Sequence, residues 1–201
     1  MPHPLDRDSV EVTTLLREAV TASGLSQAAF ARALRTSAPR LSSYLTGATQ
    51  PSAQFLVRAR RLGRALGEAA ARGVMSAPVT AAAMREHFRA GEIEWLWRML
   101  LQGRDHLAAA IEENDQVLLD AWEARPGSIG SAEWDALLAV VVAHHLETAD
   151  LEAPARSLRQ PLLEPWIPEH PFLTPDRVRA QTPDWLSRQN IYVPDRDLVT
   201  A

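Results

Sequence analysis

The sequence predicts an all-α protein made of an N-terminal helical domain, a C-terminal helical bundle and a Pro-rich segment that wraps a folded surface. Three observations predict it. Apolar residues recur at helical spacing in successive stretches that open on a capping residue or close on a Gly. The formal charge changes sign along the chain: residues 1–75 hold ten Arg against five acids, and residues 76–201 hold eleven Arg against twenty acids. Eight of the fourteen prolines fall from Pro154 onward, which excludes long helices there. The expected division is a first domain over 1–73, a linker over 74–80, a bundle over 81–153 and the Pro-rich segment over 154–201.

In chain order, residues 1–8 read as a loose arm and Ser9 as the cap of a first helix from Val10 to Ser23. Val12, Leu15, Leu16, Ala19 and Val20 form its apolar face and Gly24 stops it. Ser26 then caps a short helix, SQAAFARAL, and Leu25 staples onto Phe30 four positions in. Phe30, Ala31 and Leu34 form the inner face, with Ala31 small enough for a second helix to come close. Arg35, Thr36 and Ser37 make a polar turn whose hydroxyls can cap the next helix, and Pro39 falls in that helix's first turn, where its missing N–H costs little. Leu41, Tyr44 and Leu45 supply the second inner face. Two short helices joined this way form a helix-turn-helix, in which the second helix can place its N-terminal residues in a DNA major groove.

The outward face of that second helix then holds the candidate DNA contacts: Ser37, Ala38, Pro39, Arg40, Ser42, Ser43 and Thr46. Arg40 leads, because a guanidinium bonds guanine bidentately. Ser42 and Ser43 suit either a base or a phosphate. Gln27, opening the first of the two helices, suits a phosphate.

GLSQAAFARAL, then SAPRLSSYLTG, then PS opening another helix resemble the Xre family, the Cro and CI type of repressor domain, over about Val10 to Leu66. The family has glycine where Arg35 stands and an apolar residue where Thr36 stands. The resemblance implies a sequence-specific transcriptional regulator that binds double-stranded DNA as a homodimer, with two reading helices about one DNA turn, roughly 34 Å, apart. The ending PDWLSRQNIYVPDRDL is similar to the ends of Xre-type regulators that act as antitoxins beside nucleotidyltransferase-like toxins. That implies a toxin as protein partner, with a small effector on the C-terminal domain as the alternative.

Past the helix-turn-helix, Ser52 caps a long helix with Phe55, Leu56, Ala59, Leu62 and Leu66 on its apolar face and Gly73 closing it. Arg58, Arg60, Arg61 and Arg64 lie on the other face, fit for phosphates or for solvent. VMSAPVT is the expected linker. AAAMREHFRA, EIEWLWRMLLQ, RDHLAAAIEEN and DQVLLDAWEA read as four helices separated at Gly91, Gly103 and Asn114-Asp115. Ser131 caps a helix through Thr148 that is apolar on nearly every face, as befits the centre of a bundle. The Pro-rich segment is expected to hold two short helices, near 175–180 and 183–189, and a brief extended piece at Ile191-Tyr192-Val193. It either wraps its own bundle, the favoured reading, or completes a groove for a partner.

The absence of Cys excludes disulfides, thiol catalysis and Cys-ligated zinc, and no apolar run approaches a membrane span. The expectation is a cytoplasmic protein that is not an enzyme and takes no cofactor. The chain has no phosphate-binding Gly-rich loop and no nucleophile elbow or zinc-protease motif. Two other readings stand beside the regulator. One is an interaction protein with a vestigial helix-turn-helix. The other is a metal-dependent bundle enzyme on the cluster His144, His145 and Glu147, with Asp150 one step further, which would need ligands such as Glu112, Glu113 or Asp115 from another helix.

Overall fold

The structure is a computed structural model that describes residues 6–153 and 160–199. Its described residues are helical throughout, apart from loops and one isolated bridge, as the sequence predicts. Most of the expected arm, residues 1–5, and the first part of the Pro-rich segment, residues 154–159, lie outside the described residues.

The chain divides into two compact units, and the division is not linear: residues 113–127 belong with residues 1–79, while 80–112 and 128–201 form the second unit. The first unit contains α1 (Arg7–Ala22), α2 (Gln27–Ala33), α3 (Ala38–Leu45), α4 (Ala53–Ala71) and, from further along the chain, α7 (Gln116–Trp122). Between them in sequence come α5 (Ala77–Ala90) and α6 (Ile93–Glu112).

Helix α1 starts earlier than its pattern predicts. Asp6, not Ser9, is the N-cap: its carboxylate accepts from the Ser9 backbone N–H at 2.9 Å and from the Ser9 hydroxyl at 2.7 Å. Those bonds favour the charged form and hold the Asp6 carboxyl below its ordinary value. Helices α2, α3 and α4 have the expected serine caps, with Ser26, Ser37 and Ser52 each accepting from the backbone N–H three residues on, and α7 is capped by Asp115.

Helix α1 lies against α4 at unusually close range. A Cβ built on Gly63 would meet the Ala19 carbonyl, and one on Gly67 would meet the Ala22 carbonyl, so the two glycines one turn apart let the backbones touch. Leu16, Ala19, Phe30, Leu34, Leu41, Ala59, Leu62 and Leu66 close the core. Leu118, Leu119 and Trp122 of α7, whose apolar stripe the sequence assigns to the C-terminal bundle, are buried in a helix that packs on α4. Arg61 and Arg72 reach acids within and at the ends of α7: Arg61 pairs with Glu123 at 2.8 Å and with the buried Asp120 at 3.7 Å, and Arg72 with Asp115 at 2.6 Å.

Of the expected linker, 74–80, residues 74–79 belong to the first unit and Thr80 to the second. Ser76 and Ala77 are buried and α5 begins at Ala77. In the second unit Gly103 does not break a helix, because α6 runs through it unbroken. A Cβ there would stand 2.5 Å from the Thr80 hydroxyl oxygen, so this glycine marks a close approach of α5 rather than a turn. Helix α8 (Ala132–Thr148), capped by Ser131, packs on α6 and buries Trp134, Leu137, Leu138, Val140, Val141, Val142, Ala143 and Leu146.

The described part of the Pro-rich segment folds onto this same unit. It contains α9 (Pro175–Gln181), α10 (Asp184–Ser187) and a 3₁₀ turn at Asp195–Leu198. Trp166 and Ile191 form a parallel bridge, with Trp166 N–H donating to Asn190 O at 2.8 Å and Tyr192 N–H to Trp166 O at 2.9 Å. Trp97, Trp134 and Trp166 stand edge to face at 4.9 and 5.1 Å, joining α6, α8 and the segment. Trp185 stacks flat on His144 at 4.0 Å.

Burial holds His144 below the ordinary histidine value, helped by the charge of His145 and opposed by Asp195 and Glu147. The unfolded chain therefore binds a proton more readily than the folded one, so the second unit loses stability as pH falls through the ordinary histidine range. Between about pH 7.5 and pH 5.5 the wild-type melting temperature is expected to drop. In His144→Phe, which keeps the stack without the titration, the drop should shrink; an undiminished drop would place its origin elsewhere.

Candidate nucleic-acid interface

Helices α2 and α3 pack on each other and are joined by a turn that Arg35 closes with left-handed backbone, φ +58°. Arg35 N–H donates to Arg32 O at 2.8 Å and Thr36 N–H to Ala31 O at 2.9 Å, the two bonds of a Schellman C-cap. Glycine adopts this backbone without strain and arginine does not, so the turn keeps its geometry at a cost of about 1 kcal/mol. Arg35→Gly is therefore expected to raise stability by up to about 1 kcal/mol in urea unfolding. A loss would mean that the Arg35 side chain contributes more than its backbone costs.

The turn presents the expected face outward. Ser37, Ala38, Pro39, Arg40 and Thr46 are exposed, Ser42 and Ser43 half-buried, and Leu41, Tyr44 and Leu45 buried on the opposite side. Gln27 is exposed at the first position of α2. Several of these groups are already bonded within the helix. The Ser37 hydroxyl accepts from Arg40 N–H at 3.3 Å, the Ser43 hydroxyl donates to Pro39 O at 3.1 Å, and the Thr46 hydroxyl donates to Ser42 O at 3.1 Å. With their hydrogens turned inward, Ser43 and Thr46 offer acceptor lone pairs outward, which suits a base amino group better than a phosphate.

Three further contacts build the site, two of them between residues far apart in the sequence. Arg17 of α1 donates to Leu45 O at 2.6 Å, closing the C-terminal end of α3 from 28 residues away. Arg58 of α4 donates to Leu34 O at 3.0 Å, doing the same for α2. Tyr44 Oη accepts from Arg40 Nε at 2.7 Å. Neither of the first two was findable, because periodicity is blind to pairs 28 and 24 residues apart.

The basic face expected on α4 is thereby reduced. Of Arg58, Arg60, Arg61 and Arg64, the first caps α2 and the third pairs with α7, leaving Arg60 and Arg64 exposed for phosphates. Residues 113–127 add four acids and one Arg to the ten Arg and five acids of residues 1–79, so this unit carries a formal +2. The charge division read along the sequence is thus weaker in the folded unit than in the linear chain.

The second unit holds a cavity of about 540 Å³ lined by Trp97, Pro168, His170, Phe172, Val178 and Val193, among others. Among the described residues no group of three or more His, Asp and Glu is placed to hold a metal ion; His144 stacks on Trp185, and His145 Nδ1 faces Val141 O at 2.9 Å. No described helix is long and apolar enough to cross a membrane.

Comparison with curated proteins and with solved structures finds no match for the chain. Residues 11–73 match the family described as a helix-turn-helix domain, the span that α1 to α4 occupy. The chain therefore carries a helix-turn-helix domain of the DNA-binding type at its N-terminal end, within an all-α fold.

Proposed function

We propose that the protein is a cytoplasmic, sequence-specific transcriptional repressor of the Cro and CI type, working on double-stranded DNA as a homodimer. The observation that carries this reading is the exposed outer face of α3, held by a capped turn on one side and by Arg17 on the other. Arg40 reads a base with Ser42, Ser43 and Thr46 beside it, Ala38 and Pro39 lie against the groove wall, and Gln27 and Ser37 meet phosphates. No step of this role is catalytic and none needs a cofactor.

The second unit takes the signal. Its acidic composition suits a protein partner, such as the toxin of a pair in which this chain is the autoregulating antitoxin. Its cavity, within the usual volume range for small-molecule sites, favours a small effector as the second reading.

The test is fluorescence anisotropy on the DNA upstream of the protein's own gene, against scrambled DNA, across a salt series. The expected result is a preference for the upstream DNA, with affinity falling log-linearly as salt rises. Equal binding to both DNAs would sink the repressor reading and leave a vestigial helix-turn-helix on an interaction protein, which the modest charge of the first unit would then suit.

A further inference from the structure

The geometry points to Tyr44 as a specificity-determining residue: its hydroxyl holds Arg40 so that the guanidinium presents only its terminal nitrogens, the end-on fork that reads guanine. This inference rests on the DNA-reading function proposed above and goes past it in naming the base and the device that selects it.

The argument begins with spacing. Residues 40 and 44 are one turn apart on the same side of α3, so their side chains meet. Tyr44 belongs to the core, only 5% exposed, with its ring against Phe55 at 5.1 Å. Its ring is therefore fixed by packing, and so is the oxygen that the ring carries. Arg40 is exposed and, unaided, has many rotamers. The bond from Arg40 Nε to Tyr44 Oη at 2.7 Å, with the guanidinium carbon 5.8 Å from the ring centroid, ties the mobile group to the fixed one.

The chemistry follows from which donor is used. An arginine can approach a base side-on, through Nε and one terminal nitrogen, or end-on, through both terminal nitrogens. Here Nε is committed, which closes the side-on mode and leaves the end-on pair. Paired donors match the O6 and N7 acceptors that guanine alone shows side by side in the major groove. A freely moving arginine would also reach neighbouring phosphates, which gives affinity without sequence preference. Tyr44 is thus a positioning residue, acting on DNA through Arg40.

The experiment compares wild type, Tyr44→Phe, Arg40→Lys and Arg40→Ala on the upstream DNA, on scrambled DNA, and on upstream DNA carrying 7-deazaguanine, which lacks N7, or inosine, which keeps O6 and N7. Tyr44→Phe keeps the packed ring and removes only the hydroxyl; thermal melting checks that it folds. Wild type is expected to lose about tenfold in affinity with 7-deazaguanine and little with inosine. Tyr44→Phe should lose about five- to tenfold of the upstream preference, bind scrambled DNA as wild type does, and respond less to 7-deazaguanine. Arg40→Lys, which keeps the charge but has no fork, should lose the preference likewise, so the guanine assignment stays testable even if Tyr44→Phe folds poorly.

The failures separate. If wild type shows no upstream preference, the repressor reading falls. If wild type prefers its upstream DNA and Arg40→Ala abolishes this while Tyr44→Phe keeps both the preference and the 7-deazaguanine penalty, the positioning role alone is overturned. Equal losses by Tyr44→Phe on upstream and scrambled DNA would show a structural role only and overturn it too.

Discussion

Gly63→Ala is expected to destabilise the first unit by about 1–3 kcal/mol, the usual cost of forcing an extra group into a packed contact. Helix propensity taken alone predicts the opposite sign, because alanine in a helix interior is about 1 kcal/mol better than glycine. The contact wins because what the new methyl would strike is the Ala19 carbonyl of α1, a backbone group that cannot rotate aside. Gly63→Val enlarges the clash and adds a β-branched side chain, so its loss should be greater. Urea unfolding of wild type, Gly63→Ala and Gly63→Val checks this through the order of midpoints; an alanine variant more stable than wild type would mean that α1 and α4 do not approach as described. The effect extends to the DNA-facing helix, since Arg17 closes the end of α3 from α1. Loosening α1 should therefore weaken DNA binding as well.

Arg40→Ala is expected to remove about 1–3 kcal/mol of preference for the cognate DNA while leaving binding to scrambled DNA nearly unchanged. The reason lies in the placement of Arg40: exposed on α3, one turn before a buried Tyr44, and outside the hydrophobic core, so its loss should not unfold the domain. A purely phosphate-binding arginine behaves differently, weakening all sequences alike and lowering the salt slope by about one. Anisotropy titrations of both proteins on both DNAs at several salt concentrations distinguish the two outcomes. A uniform loss would move base reading from Arg40 to the serines beside it.

Much of the first unit was legible in the sequence because its signals are local. Ser26, Ser37 and Ser52 cap their helices as read, since capping involves a side chain and a backbone group three residues apart. Phe30, Ala31, Leu34, Leu41, Tyr44 and Leu45 are buried as their spacing predicts. Glycine was the least reliable signal, because its missing side chain serves opposite purposes. At Gly24, Gly73 and Gly91 it takes the left-handed backbone that ends a helix. At Gly63 and Gly103 it stays helical and admits a neighbour, and Gly103 therefore reads falsely as a boundary.

The sequence by itself determined that the chain is helical, where most helices begin, which face of each is apolar, and that residues 26–47 form a helix-turn-helix. Those properties depend on periodicity and on bonds a few residues long. Only the tertiary structure decided that α7 belongs with α4, that the acids at the ends of α7 take Arg61 and Arg72, and that Arg17 and Arg58 close helices 28 and 24 residues away. An amphipathic helix states that it must bury one face and not against what. The partner is settled by which surfaces fit and which charges meet, and so the arginines left free for DNA became visible only in the folded chain.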